Sequence, residues 1–149
     1  MLLQRTNAVV NPEHSNPKTQ RQFGMEFEFF SQTDTGRVRS NNEDSIAVDE
    51  SCSVAVLADG MGGYNAGEVA SGMTVNLVAQ GLRQALPNSP PQQLDVASGK
   101  LNAYRLLEQQ IQIANAAVYE AAQTQPHCAG MGTTIVSTLF FDIKQSQRK

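Results

Sequence analysis

The sequence predicts an α+β fold in which helices cover a mostly antiparallel sheet. Three observations predict it. Short β-type segments cluster in the first half of the chain. Two long segments with helical apolar spacing follow, and a β-branched, aromatic run closes the order. At 149 residues the chain suits one domain, and a compact chain of this size buries roughly two-thirds of its unfolded surface.

Each element has a local reason. Residues 1–24 are rich in Gln, Asn, Arg and Thr, carry Pro12 and Pro17 and have no apolar period, so they read as a disordered tail. Met25 opens a different texture and is a candidate alternative start. Phe27 and Phe29 alternate with Glu26 and Glu28 as in a strand. Gly36 punctuates a loop from Thr35 to Asn42. Asp44–Asp49 (DSIAVD) reads as a strand, Glu50–Ser53 as a tight turn and Val54–Ala58 as a buried central strand, together a hairpin. Asp59–Gly67 (DGMGGYNAG) is a glycine-rich loop. A helix follows, with an apolar stripe through Val69, Met73 and Leu77 continued by Val78, Leu82 and Leu86. Glu68 near its start suits the positive end of the helix dipole. After a loop over Pro87–Gly99, a second helix spans about Lys100–Gln123, with Tyr104, Leu107, Ile111, Ala114, Val118 and Ala121 at helical spacing. Thr133–Phe141 (TTIVSTLFF) is β-branched and aromatic, hence a strand, and residues 143–149 form a polar end.

Composition narrows the function. Hydrophobic residues make up 40%, charged residues 17%, and the net charge is −3, which argues against a polybasic nucleic-acid or membrane-surface binder. No apolar run approaches the ~18 residues of a membrane helix. The opening residues lack a signal-peptide core, and Cys52 and Cys128 make no disulfide framework. A cytoplasmic location is the expectation.

The strongest local feature is NNED (Asn41–Asp44) together with ADGMGG (Ala58–Gly63). The hairpin would bring Glu43, Asp44 and Asp59 to one end of the sheet. A carboxylate at the mouth of a buried strand is costly without a partner, and a hard divalent cation such as Mg²⁺ or Mn²⁺ is one such partner. Gly60 lets its carbonyl approach an ion closely. The plain alternative is a polar turn with its carboxylates in water, and spacing leaves both open. Arg37 and Arg39 are either solvated surface charge or anion ligands beside these carboxylates.

Other chemistries fail on their residues. A dinucleotide loop needs a third glycine where Asn65 stands. A cysteine-phosphatase loop from Cys128 needs an arginine where Thr134 stands. Gly99-Lys100 lacks the rest of a phosphate loop, no GxSxG elbow exists, and the His and Cys spacings do not suit zinc.

In order, FSQTDTGRVRSNNEDSIAV, VAVLADGMGGYNAGEVAS and AGMGTTIV resemble the first motifs of the metal-dependent protein phosphatases, the type 2C serine/threonine phosphatases, in their bacterial form. The likeness runs from about Glu26 to Asp142, within a domain read as residues 25–142. It implies a four-layer α/β/β/α sandwich, here incomplete, and a binuclear Mg²⁺ or Mn²⁺ site. By motif position it implies that Asp59 bridges the metals and that Glu43 and the Gly60 carbonyl complete one metal's protein ligands. It further implies that Asp44 orients a water and that Arg39 binds the substrate phosphate. The implied reaction is hydrolysis of phosphoserine or phosphothreonine in proteins by an activated water, opposing a serine/threonine kinase. Met61 stands where some relatives carry a histidine, so the resemblance leaves the general acid open.

The family continues past the strand equivalent to Thr133–Phe141 with a GDSR strand and two later aspartate ligands. Neither has a counterpart before Lys149. The chain is therefore expected to be an N-terminal portion, inactive or nearly so alone, with one apolar sheet face lacking its cover. The alternative is a non-catalytic binding or regulatory module derived from the same fold.

Overall fold

A computed structural model describes residues 28–63 and 66–141. The expected tail, the polar end and most of the expected opening strand lie outside the described residues. Of that strand, Glu28–Phe30 are described and join no sheet, although the Phe29 ring packs 6.0 Å from that of Phe140.

Strand β1 runs Asp44–Asp49 and β2 runs Val54–Met61. They pair antiparallel with Asp44 opposite Asp59 and Asp49 opposite Val54, closing the expected hairpin. Ser53 takes a left-handed φ of 54° in the turn. Strand β2 continues three residues beyond the expected Ala58, through Asp59, Gly60 and Met61. Partners account for the extension: Gly60 and Met61 pair with Thr133 and Gly132 of β3 (Gly132–Thr133). Strand β4 (Val136–Leu139) pairs with Val54–Leu57 on the same edge of β2. The expected closing strand is thus divided into two pieces. Both pieces keep one register against β2, and Thr134 N donates to Asp59 O across the gap at 2.9 Å.

Helix α1 (Ala66–Ala85) lies across the sheet, and α2 (Asn102–Thr124) packs beside α1. The sheet-facing residues of β2 are Val54, Val56 and Ala58, and they are buried with Val75, Val78, Leu82, Leu106 and Ala114 in one core. A second core joins Ala66, Ala70, Val118, Ala121, Cys128 and Met131. Both helices are where periodicity puts them, and Val78, Leu82, Ala114, Val118 and Ala121 of the expected stripes are buried in the cores, but the first residue of each stripe is not. Val69 and Tyr104 are exposed, while Ala70, Ser71, Thr74, Ala103 and Leu106 are buried. Small residues set this face, because α1 comes close enough to β1 for Ser71 Oγ to hydrogen-bond Ser45 Oγ at 3.0 Å. Large side chains at those positions would hold the layers apart.

The other sheet face is open. Alternation along β2 puts Leu57 there, 42% exposed, beside Val136, 65% exposed. Of the four layers the resemblance implies, one sheet and one helix pair stand among the described residues. Among these residues no helix is long and apolar enough to cross a membrane.

At the hairpin end, Asp49 is buried and paired with Arg83 of α1. Its Oδ1 accepts from Ser51 N at 3.0 Å and from Ser51 Oγ. Burial pushes the Asp49 carboxyl up, and the Ser51 and Arg83 hydrogen bonds outweigh that, leaving it below the usual carboxylate range. Burial chiefly, then the Asp49 charge, raise the Cys52 thiol to about 11, so it is no nucleophile near neutrality.

Two stability measurements follow. Val56→Ala should cost about 2 kcal/mol in urea unfolding and Leu57→Ala less than about 0.5 kcal/mol; equal costs would contradict a one-sided sheet. Asp49→Asn should cost about 1–2 kcal/mol at neutral pH. Because the folded pKa is lowered, Asp49's contribution is full above its ordinary value of 3.8 and is lost as pH falls through the lowered one. The gap between the two proteins should therefore narrow as pH falls below 3.8 and close once it has passed the lowered value.

Candidate functional site

The site is built at the end of the sheet where β1 begins and β2 finishes. A loop delivers the chain to this point. Asp34 Oδ1 accepts from Gly36 N at 2.7 Å, and Gly36 takes a left-handed φ of 76°. Asn42 then joins both sides of the loop: its Nδ2 donates to Thr33 Oγ1 at 2.6 Å and its Oδ1 accepts from Asp44 N at 3.1 Å. This local turn chemistry starts β1 at Asp44 and leaves Glu43 beside the end of β2, where Gly60 N donates to Glu43 O at 3.0 Å.

Asp44 and Asp59 are direct cross-strand partners and both are exposed. Facing residues in an antiparallel pair carry their side chains on the same face, and like charges so placed are destabilising. The Glu43 carboxylate lies elsewhere, against the first turn of α1, with Arg39 Nη1 4.0 Å from its Oε2. Arg39 itself is 73% exposed, so this pair holds the carboxylate only loosely. The chain thus brings Arg39, Glu43, Asp44, Asp59 and Gly60 to one sheet end. Their side chains divide, with Asp44 and Asp59 opposite each other and Glu43 beside α1.

The donor set can be judged as a metal site. Two carboxylates and a backbone carbonyl are hard oxygen donors of the kind Mg²⁺ and Mn²⁺ take, with waters filling the remaining positions. The set fits in kind and is short in number: among the described residues, no group of three or more His, Cys, Asp or Glu side chains could hold an ion.

Three contributors have no role in the sequence analysis. Asn42 stands there as the loop end and part of NNED. Thr133 and Thr134 stand there as strand and as part of AGMGTTIV, yet Thr133 Oγ1 and Thr134 N both donate to Asp59 O at 2.9 Å. The signal was available in AGMGTTIV, whose paired threonines follow a glycine turn.

The sequence pattern described as Protein phosphatase 2C matches residues 33–144. The chain belongs to the protein phosphatase 2C family. The serine/threonine phosphatase stp of Listeria welshimeri is 32% identical over 110 residues, covering 72% of this chain and 40% of that protein. The serine/threonine protein phosphatase PstP of Mycobacterium tuberculosis is 35% identical over 112 residues, covering 75% of this chain and 19% of its own length. Among solved structures, the catalytic domain of PstP in complex with two manganese ions superposes with a TM-score of 0.57 at 34% identity, over 74% of this chain and 42% of that one. A Streptococcus agalactiae serine/threonine phosphatase gives 0.56 at 32% identity, over 74% and 43%. This phosphatase 2C chain therefore spans less than half the length of these relatives.

Close packing at the sheet end has a direct test. A methyl group at Gly60 would overlap the Gly67 carbonyl and come within 2.8 Å of Glu43 O. Both obstacles are backbone, so Gly60→Ala should lower stability by about 3 kcal/mol in urea unfolding. A loss below about 0.5 kcal/mol would show that β2 and α1 are not in contact here.

Proposed function

We propose that this chain supplies the first part of a metal-dependent serine/threonine protein phosphatase site, with Glu43, Asp59 and the Gly60 carbonyl as ligands of Mg²⁺ or Mn²⁺. The observation that carries the reading is the register. It places the exposed Asp44–Asp59 pair and the Glu43–Gly60 contact at one sheet end, in a chain matching a manganese-bound phosphatase structure. Exposed, opposed carboxylates gain from a cation between or beside them.

The residues divide the work. When bound, the metal supplies a water acidic enough to act near neutral pH. Asp44 orients that water through its carboxylate. Arg39, exposed and four residues before Glu43, receives the phosphoryl oxygens of a phosphoserine or phosphothreonine side chain in two parallel hydrogen bonds. Its 4.0 Å approach to Glu43 is loose enough to exchange for a phosphate. In-line displacement then releases the serine or threonine hydroxyl, the reverse of a protein kinase's product. A cytoplasmic setting suits this role.

The donor set among the described residues is short of two full metal sites, so the isolated polypeptide should bind Mn²⁺ weakly and show no Mn²⁺-dependent hydrolysis of a phosphopeptide. Mn²⁺ titration followed by electron paramagnetic resonance should give an affinity that Asp59→Asn reduces by at least about tenfold. Binding unchanged by that substitution would refute the metal assignment. Robust turnover abolished by Asp59→Asn would show that the ligands present suffice. Reading the coding DNA beyond Lys149 for a GDSR-encoding stretch distinguishes a phosphatase portion from a non-catalytic module, which would lack it in every frame.

A further inference from the structure

We infer that Gly67 is a positioning residue for the Glu43 carboxylate, and that its missing side chain is what allows that carboxylate to stand at the sheet end. The inference rests on the metal reading for its functional meaning and on packing for its geometry.

Gly67 is buried in the first turn of α1. Its backbone does not call for glycine, since the left-handed glycines among the described residues are Gly36, Gly99 and Gly130. Glycine is among the poorest helix formers, so its presence here is explained by space. A methyl group on Gly67 would lie 2.5 Å from Glu43 Oε1, 2.8 Å from Glu43 Cδ and 2.9 Å from Met61 N. Even weak carbon–oxygen contacts keep about 3.3 Å.

The identity of these neighbours decides what a substitution does. At Gly60 the nearest obstacles are all backbone. At Gly67 the two nearest atoms belong to one glutamate side chain, which has free torsions and stands 4.0 Å from the exposed Arg39. The least costly response to a methyl at Gly67 is therefore to swing the carboxylate away. The fold survives with a small adjustment at Met61, and the ligand is displaced. Displacements of this size are large against the tolerance of metal coordination.

The test is a cycle on the 149-residue chain comparing Gly67→Ala, Glu43→Asp and the double variant. Glu43→Asp withdraws the carboxylate by one methylene and so clears the methyl's space. Mn²⁺ affinity by electron paramagnetic resonance should fall about tenfold for Gly67→Ala alone. In the Glu43→Asp background the same substitution should change it less than about twofold. An equal fall in both backgrounds, or no fall in either, would overturn the proposal, because a merely structural effect does not depend on the length of residue 43.

A second cycle needs no metal. In urea unfolding, Gly67→Ala should lower the midpoint by about 0.5 M more with Glu43 present than in a Glu43→Ala background. Additive costs would overturn the contact itself. If Glu43→Ala leaves Mn²⁺ affinity unchanged, the metal reading fails, and the unfolding cycle still decides the contact.

Discussion

The constraint on which the sheet end depends is the approach of β2 to α1 at Gly60 and Gly67. The chain leaves the sheet at Met61 and re-enters a helix at Ala66, which gives it only a few residues to reverse direction. It does so by laying the first turn of α1 directly over the end of β2. Gly60 has no room for a side chain there because the Gly67 carbonyl occupies the space. Everything else follows from that distance. Helix α1 comes down onto the sheet with Ser71 against Ser45, and Val78 and Leu82 pack into the core with Val54 and Val56. Glu43, arriving beside Gly60, has its carboxylate against the first turn of the helix and is half-buried there.

The two faces of the sheet answer to different partners. The helix-side face forms a closed core within the chain. The opposite face ends in Asp44 and Asp59 and carries Leu57 and Val136 in the open. An apolar sheet face with a charged end is the pattern of a surface made to be covered while its rim stays wet. The chain spans 38–47% of these solved phosphatase structures.

Much of this was legible because it is local. DSIAVD and VAVLA differ in texture from the turn between them, and the hairpin register carries Asp44 to Asp59 without further information. The helices were legible as helices, and so was much of their inner faces, through Val78, Leu82, Ala114, Val118 and Ala121, but not where those faces begin. Size-ranked hydrophobicity favoured Val69 and Tyr104, whereas the observed face is chosen by clearance, and clearance is a property of the partner surface. For the same reason the strand through Asp59, Gly60 and Met61 read as loop. Glycine is a poor strand former alone, and the pairing that holds it here comes from Gly132 and Thr133, more than seventy positions away. The candidate site residues were named from their ordered motifs. Asn42, Gly67 and Thr133 support that sheet end by hydrogen bonds and by space, and none of the three has a strong signature in one sequence.

The manner of support bears on what the site can do. The sheet end is held almost wholly by main-chain and neutral groups: Gly60 N to Glu43 O, Thr134 N and Thr133 Oγ1 to Asp59 O, and Asn42 Oδ1 to Asp44 N. None of these uses the carboxylates of Glu43, Asp44 or Asp59. A turn that only needed to be polar could have been closed by those side chains, as Asp34, Asp49 and Asp95 close theirs by accepting from nearby Gly36, Ser51 and Ser98. At the sheet end the backbone has been satisfied by other means. Asp44 and Asp59 are left opposed and exposed, an arrangement that costs energy by itself and is relieved by a cation.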